Sequence, residues 1–481
     1  MMKIVKLFFS ALKFSHYRFF AVLFLALTIL LPSFSADYYG RDVPDSSEIR
    51  AKLVDRWFLQ DLKYLRLQEN EYYQNVLGQK FEIRMEEIDD DTFAIVVAPA
   101  SKIDMDLISS SGKSTVEMDV YPYDSSGSWI LFRDKKTGNP MSIRYYFHKN
   151  SQIFVEFQAE DIPDVNITMK KRKKDEKVYG NFLLFDMYVA KNIPVGLTIE
   201  SLYTMPFVEV VENTRITLPW EFALIETNLY DDNLQMIGFI REKLPGIVFE
   251  NDACYDGEFN PVRISTGEKR EEKAKKGGVS LDNFGFTKWI VDGIVRPMAG
   301  SNLELAPLKT PTVKMKVGSK ADTFADKYNQ FFALDWTRNL AAAYLSVVSA
   351  DKYTYENSGC EVSIRPFSAQ FTQNGTKSLP VYIKDSGYFV ESLKALFYIL
   401  AIREPGRFYL GAIRETDNSV PQNVFYARTV AFFPYFDAEG DYFVSVFENG
   451  KECSIEDFMK DNSDVFVNLV RFQSSQRFFP Q

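Results

Sequence analysis

The chain contains 481 residues, of which 56 are Lys or Arg and 65 are Asp or Glu, so its formal net charge is −9 at pH 7. An acidic chain without a broad basic stripe is poorly suited to neutralise phosphates, which argues against nucleic acid and anionic lipid headgroups as partners. The chain has two histidines, His16 and His148. Because none follows residue 148, Cys–His, Ser–His and histidine-ligated zinc chemistry are disfavoured in the C-terminal half.

Residues 1–35 have the pattern of a secretory signal peptide. Four basic residues and no acidic residue precede an unbroken apolar run over residues 19–31. This run is shorter than the roughly 20 residues that a membrane-spanning helix needs, which favours cleavage over a retained leader. Small residues indicate cleavage near Ser35 or Ala36. We therefore expect an exported protein, periplasmic or extracellular, without a stable transmembrane span after cleavage.

The remaining chain, about 446 residues long, exceeds what one hydrophobic core usually organises, so roughly two or three domains are expected. We place an N-terminal helix region at residues 36–79 and an antiparallel β-rich, sandwich-like domain at residues 80–265. An almost wholly charged stretch, residues 266–276, is predicted to be an exposed linker. Residues 277–481 then form an α+β domain.

In the first two regions the apolar spacing changes from helical to alternating. Asp45 and Glu48 have the spacing of a capping box, and Leu53 and Trp57 fall on one face of the predicted helix. From residue 81 to about 218, apolar and polar residues alternate in short segments, which predicts antiparallel strands in a sandwich or curved sheet. A helix is predicted at residues 233–244.

The last region mixes helices and strands, which is typical of an α+β arrangement. Apolar residues at three-and-four spacing predict helices at residues 284–295, 337–348 and 388–401. Strands are predicted at residues 407–413, 424–433, 441–448 and 465–472. Residues 437–440 predict a hairpin, and Ser454 with Asp457 predicts the cap of a short helix before the last strand.

One sequence motif suggests a family. Asp282-Asn283-Phe284-Gly285-Phe286 resembles the nucleophile segment of the NlpC/P60 family of papain-like cell-wall peptidases, in which an Asp-Cys-Ser-Gly-Phe type sequence opens a helix. A cysteine there would feel the positive end of the helix dipole, which raises its thiolate fraction. The resemblance implies a papain-like domain within residues 277–481.

The same alignment puts Asn283 at the cysteine position and Phe284 at the serine position. A later segment resembles the family's histidine strand and places Thr429 or Arg428 where the histidine would be. An amide cannot attack a peptide carbonyl at neutral pH. The resemblance therefore implies a degenerate copy without catalytic residues, with Asn283 and Thr429 as vestigial positions.

The candidate binding cleft consists of Asp282, Asn283, Phe284 and Thr429. A simpler interpretation is that Asp282 caps the helix, Gly285 allows close packing and the following aromatic residues form a buried face.

Other candidates for chemistry are few. The chain's three cysteines, Cys254, Cys360 and Cys453, allow one disulfide of undetermined pairing or three free buried thiols. Cys360 lies in a turn-like context, but no histidine could activate it. Residues 335–339 indicate the start of a helix first and a polar site second. We predict no metal site and no cofactor, since calcium-loop, Walker and dinucleotide motifs are missing from the sequence.

These observations favour an exported, non-catalytic protein that acts as a scaffold or binds cell-envelope peptide or peptidoglycan. Two alternatives stay open. One is an active envelope hydrolase with an unconventional nucleophile, and the other is a purely structural or protein-binding exported module that binds an envelope protein.

Overall fold

A computed structural model describes residues 45–481 except residues 77, 110–111, 148–151, 160–176, 224, 276, 314–329, 373–374, 379–381 and 417–423. The signal peptide prediction, residues 1–35, and His148 therefore lie outside the described residues. Within the described part of the chain, no helix is both long enough and apolar enough to cross a bilayer.

The α-helices are α1 (Ser47–Leu53), α2 (Leu62–Leu65), α3 (Ile199–Thr204), α4 (Phe207–Thr214), α5 (Asp231–Lys243), α6 (Asn283–Ala299), α7 (Leu305–Leu308), α8 (Phe332–Ser349), α9 (Tyr355–Ser358), α10 (Leu393–Arg403) and α11 (Ile455–Asp461). A π-helix, Val54–Phe58, continues α1, and short 3-10 helices occupy Trp220–Ala223, Thr227–Leu229, Leu244–Gly246 and Val390–Ser392.

The strands are β1 (Glu71–Gln74), β2 (Lys80–Glu87), β3 (Thr92–Pro99), β4 (Ser101–Ser109), β5 (Gly112–Val120), β6 (Trp129–Asp134), β7 (Pro140–Tyr146), β8 (Ile153–Ala159), β9 (Val178–Leu184), β10 (Met187–Pro194), β11 (Ile247–Phe249), β12 (Ala253–Tyr255), β13 (Pro261–Arg263), β14 (Val279–Leu281), β15 (Ala369–Thr372), β16 (Gly375–Lys377), β17 (Tyr382–Ile383), β18 (Gly387–Phe389), β19 (Arg407–Thr416), β20 (Val424–Phe436), β21 (Tyr442–Glu448), β22 (Lys451–Ser454) and β23 (Phe466–Gln473).

The N-terminal strands form one large antiparallel sheet in the order β1-β2-β3-β6-β7-β8-β9-β10-β15-β16. Alternate residues such as Ile83, Ile95 and Tyr145 are buried in the main core, as the period-two pattern predicts. The predicted sandwich is wrong for the described strands, because α3 packs on β7 and β8 where a second sheet would lie. The strands β4 and β5 pair separately as a two-stranded ribbon.

The strand prediction was also wrong for residues 199–214, which form α3 and α4. Thr198 and Ser201 make reciprocal side-chain-to-backbone hydrogen bonds that cap α3. The buried residues of α4 are Phe207, Val210, Val211 and Thr214, which have helical spacing. In this segment the buried residues are three or four positions apart, which predicts a helix, whereas the preceding segment has the alternating pattern of strands.

The first helix begins one residue later than the Asp45 capping box predicts. The Ser46 side chain accepts the N–H of Ile49 and caps α1. Asp45 instead forms an ion pair with the buried Arg50, with Oδ1 2.8 Å from Nε. The carboxylate is therefore used to neutralise a buried cation, and the serine satisfies the helix terminus.

The C-terminal strands form a seven-stranded antiparallel sheet in the order β17-β18-β23-β19-β20-β21-β22. Helices cover both faces. Phe432 packs on Phe397 of α10 on one face, whereas Phe433 stacks on Phe408 on the face where α6 and α8 lie. This confirms an α+β fold with large antiparallel sheets, and the interior strand β20 lies under α6.

Most C-terminal elements were predicted near their observed bounds, including the hairpin that joins β20 to β21 and the Ser454 cap of α11. The helix predicted at residues 388–401 begins later, because β18 and a 3-10 turn precede α10.

The charged stretch at residues 266–276 is not solvated throughout. The Arg270 side chain is buried, and its Nη1 lies 3.1 Å from Glu250 Oε2. The division of the chain there stays a prediction, since β15 and β16 pair with the N-terminal sheet and one continuous core includes residues from both regions.

Candidate functional site

The site begins at the junction between β14 and α6. Asp282 caps α6, because its Oδ1 accepts the N–H of Gly285 at 2.7 Å. Its Oδ2 accepts the N–H of Asp252 at 3.1 Å. Burial raises the pKa of the Asp282 carboxyl to about 7, and the nearby Asp252 adds to the effect. The helix cap is therefore a carboxyl that titrates near neutral pH.

Asn283, the first residue of α6, contacts Thr429 at the middle of β20. The Thr429 hydroxyl is 2.9 Å from the backbone oxygen of Asn283 and 3.3 Å from its Oδ1, and it donates to these acceptors. The Thr287 hydroxyl, one turn later, lies 3.3 Å from the same hydroxyl. The structure thus brings together the two positions that the sequence motif singled out.

Arg428, the other candidate for the histidine position, lies on the opposite face of the sheet. Its Nη1 is 2.8 Å from Glu448 Oε1, and its Nη2 is 2.5 Å from Asn462 Oδ1. Because neighbouring residues of a strand point to opposite faces, only Thr429 can meet the start of α6.

Phe284 is buried between helices and does not line an open groove. Its ring packs edge-on against Phe332 of α8, and its carbonyl accepts the indole N–H of Trp336 at 3.1 Å. Asp282 and Thr429 are also buried. Asn283 is partly exposed, so a ligand would reach these four residues through the Asn283 side chain.

Gly285 confirms the close-packing interpretation of the motif. A Cβ added at this position would lie 2.2 Å from the carbonyl oxygen of Ala253 and 3.1 Å from Cβ of Cys254. The start of α6 therefore packs directly on β12, and only glycine fits there without a shift.

The cysteines are free thiols in the structure. Cys254 is fully buried beside the start of α6, and burial raises the pKa of its thiol. A thiol is thus close to the helix terminus where the family resemblance would place one, but it is held in its neutral, unreactive form.

One turn further along α6, Lys288 and Asp292 form a buried ion pair with Nζ 2.5 Å from Oδ2. Asp292 Oδ1 also accepts the N–H of Leu303 at 2.9 Å. Both side chains line a narrow cavity of about 10 Å³, together with the C-terminal residue Gln481. This volume suits a single water and no larger ligand.

A second polar cluster is centred on Arg338 of α8, within residues 335–339, for which a polar site was only the second interpretation. This fully buried guanidinium places Nη2 at 2.8 Å from both Glu361 Oε2 and Asp385 Oδ1. Glu361 also accepts from the Tyr382 hydroxyl and from Asn468 Nδ2, both at 2.7 Å. The only signal was the polar run at residues 335–339, whose first interpretation as a helix start was wrong because α8 begins at Phe332.

Asn283 and Thr429 are joined by hydrogen bonds. Within the described residues, no hydrogen bond links the Asn283 amide or the Thr429 hydroxyl to a carboxylate, an amine or a thiol. A hydroxyl needs such a base to become a nucleophile. No group of three or more His, Cys, Asp or Glu side chains that could hold a metal ion occurs in the part of the chain that the structure describes.

Comparison with protein-family models gives a match in the N-terminal half of the chain. A family model described as a domain of unknown function (DUF8515) matches residues 40–222, which include the first eight strands of the N-terminal sheet and end before α6 begins. No curated protein and no solved structure matches the chain.

Proposed function

We propose that this chain is an exported, non-catalytic protein whose C-terminal region is a papain-like domain retained to hold cell-envelope peptide or peptidoglycan. The observation that supports it is the contact between Asn283 at the start of α6 and Thr429 on β20. In a papain-like peptidase, the nucleophile at the start of a helix faces a base on the adjoining sheet.

The identity of the two side chains supports loss of catalysis. The amide of Asn283 occupies the nucleophile position and the hydroxyl of Thr429 occupies the base position, and the hydroxyl donates a hydrogen bond to the amide oxygen. Neither side chain takes a proton at neutral pH, so the pair offers hydrogen bonds to a ligand and no proton transfer.

The partly exposed amide of Asn283 is the group that would recognise a ligand. Its Oδ1 accepts one hydrogen bond from Thr429, and no hydrogen bond from Nδ2 is seen among the described residues, so its two protons suit an acceptor such as a peptide carbonyl. Peptide and amino-sugar acetamide groups both present such acceptors, which suits cell-wall stem peptides and glycan strands.

Export is part of the proposal and depends on the leader at residues 1–35. The mass of the protein recovered from the cell envelope tests it. We expect an N-terminus at Ala36 or at the residue after it, and a full-length protein would contradict cleavage.

Binding is tested by sedimenting the purified mature chain with insoluble peptidoglycan, followed by chromatography of the soluble fraction over a range of pH. We expect the protein to pellet with the peptidoglycan without releasing fragments. Replacing Asn283 by Trp fills the exposed position and should weaken binding about tenfold.

Asn213→Trp is the matched control, since Asn213 is an exposed helical asparagine on α4. Asn283→Ala provides a second variant in case the larger ring perturbs folding. Equal sedimentation of Asn283→Trp, Asn283→Ala and the control would overturn the assignment of this site, and failure of the unaltered chain to pellet would overturn the proposal.

The Asp282 carboxyl favours one second candidate, an active envelope hydrolase. A carboxyl with a pKa of about 7 is in the range in which general acids and bases work. Release of peptidoglycan fragments that Asp282→Asn abolishes and Asn283→Ala leaves intact would support this candidate over the first.

A further inference from the structure

A cavity of about 310 Å³ lies on the far side of α8 from the start of α6. Its walls are the C-terminal half of α8, the turn after α9, the start of β19 and the end of β23. The residues that matter for its chemistry are Tyr344, Leu345, Val348, Cys360, Arg407 and Arg471. Its volume is in the range of small-molecule sites.

Two guanidinium groups share one carboxylate at the edge of this cavity. Arg407 Nη1 and Arg471 Nε each lie 3.1 Å from the same oxygen, Oε2 of Glu404. Arginine stays protonated in proteins, so the trio has a formal charge of +1. Glu404 therefore neutralises only one of the two positive charges beside the cavity.

The donors of Arg471 are also incompletely used. Its Nη1 donates to the carbonyl of Gly359 at 3.1 Å, which anchors the guanidinium at the turn after α9. Its Nε is buried and faces Glu404 Oε2 at 3.1 Å, so a ligand could reach only the Nη groups of this guanidinium. A fixed guanidinium with unused N–H groups is a preorganised receptor for an anion.

The opposite wall is apolar. Leu345 and Val348 lie on the same side of α8, and Val348 is 47% exposed. Tyr344 packs its ring on Phe472 and donates its hydroxyl to the carbonyl of Gln473, so it presents no free polar group there. The cavity thus joins a cationic end to an apolar surface.

We propose that this cavity binds a small organic carboxylate with an apolar tail, its carboxylate on the guanidinium N–H groups of Arg407 and Arg471 that do not face Glu404, and its tail against Leu345 and Val348. A carboxylate matches both the planar fork of guanidinium and the single unbalanced charge. This site is separate from Asn283 and Thr429, and the proposal does not depend on the function assigned to them.

Cys360 provides a reporter within the same cavity. Its side chain is buried, and burial raises the pKa of its thiol, so it is a slow target for thiol reagents. A bound ligand would shield it further.

The test is calorimetric titration of the purified mature chain with three ligands. Octanoate has both the apolar tail and the carboxylate, octanol has only the tail, and acetate has only the carboxylate. We expect binding of octanoate, at least about tenfold weaker binding of octanol and of acetate, and slower alkylation of Cys360 with octanoate present. No octanoate binding, or octanol binding as tightly as octanoate, would overturn the proposal.

Variants locate the site. Arg407→Gln and Arg471→Gln should each weaken octanoate binding about tenfold, because each removes one charged donor. Leu345→Trp should block the cavity without disturbing the core, since Leu345 is only partly buried. Arg241→Gln is the control, because Arg241 pairs with Glu452 on an exposed surface. Unchanged binding in Leu345→Trp and in both cavity arginine variants would place octanoate elsewhere and overturn the assignment.

Discussion

The Thr429 hydroxyl lies 2.9 Å from the backbone oxygen of Asn283, although 146 positions separate the two residues in the chain. This hydrogen bond joins the start of α6 to β20, an interior strand of the C-terminal sheet. Because Thr429 is buried, its hydroxyl has no water to replace a lost partner. The contact is therefore a structural joint as well as the proposed remnant of a catalytic pair.

Replacing Thr429 by Val tests this joint, since valine keeps the shape and removes the donor. We expect a loss of about 1 kcal/mol in the free energy of unfolding, measured by urea denaturation. Thr416→Val at the exposed end of β19 is the control and should change stability by less than about 0.5 kcal/mol. Equal effects of the two substitutions would show that the hydroxyl does not stabilise the fold.

Gly285→Ala should destabilise the protein by about 1–3 kcal/mol, because the new methyl group would overlap the carbonyl oxygen of Ala253. Gly238→Ala is the control within helix α5, where a Cβ meets nothing within 4 Å. There, alanine should stabilise by up to about 1 kcal/mol through its helix propensity. Thermal unfolding should therefore show a lower melting temperature for Gly285→Ala and an equal or higher one for Gly238→Ala. An unchanged melting temperature in Gly285→Ala would contradict the close packing.

Much of the C-terminal region could be predicted because its signals are local. The Asp282 cap, the hairpin at residues 437–440 and the Ser454 cap each act within a few residues, so the sequence contains the whole signal. The contact of Asn283 with Thr429 was anticipated only through the family motif, because spacing alone relates no residue of α6 to β20.

What could not be predicted depends on distant parts of the chain. Strand β15 pairs with β10 through Ala369 and Tyr188, and no local pattern selects a partner that far away. Burial of Arg338 could not be predicted either, since its partner Glu361 lies 23 positions further along the chain, in the segment after α9. The exposure of a polar residue is set by tertiary packing, which sequence periodicity does not describe.

Asp282 should make stability fall as the pH rises. Its pKa is about 7 in the folded chain and 3.8 for an ordinary aspartate, so between these values the folded state holds a proton that the unfolded state has released. The contribution of the Asp282 carboxyl to the free energy of unfolding is fully present below about pH 4 and is lost as the pH rises to about 7. Urea denaturation at several pH values should show a less negative slope for Asp282→Asn than for the unaltered chain.

The difference between the two curves isolates Asp282, because the other carboxyls are common to both proteins. The slope is the readout, since an asparagine amide would face the N–H of Asp252 and change the absolute stability. Parallel curves between about pH 4 and pH 7 would contradict a raised pKa.

Arg338→Met should be among the most destabilising substitutions in the C-terminal region. It leaves the carboxylate of Glu361, whose side chain is only 11% exposed, without its cation, and breaking a buried pair in this way costs about 3–5 kcal/mol. Arg403→Met is the control, because the exposed pair of Arg403 with Glu221 should contribute no more than about 1 kcal/mol. Adding Glu361→Gln to Arg338→Met removes the stranded charge and should restore part of the loss, measured by urea denaturation. An equal or smaller loss of the free energy of unfolding for Arg338→Met than for Arg403→Met would contradict this prediction. The ion pairs of Arg338 would then contribute no more to stability than an exposed pair.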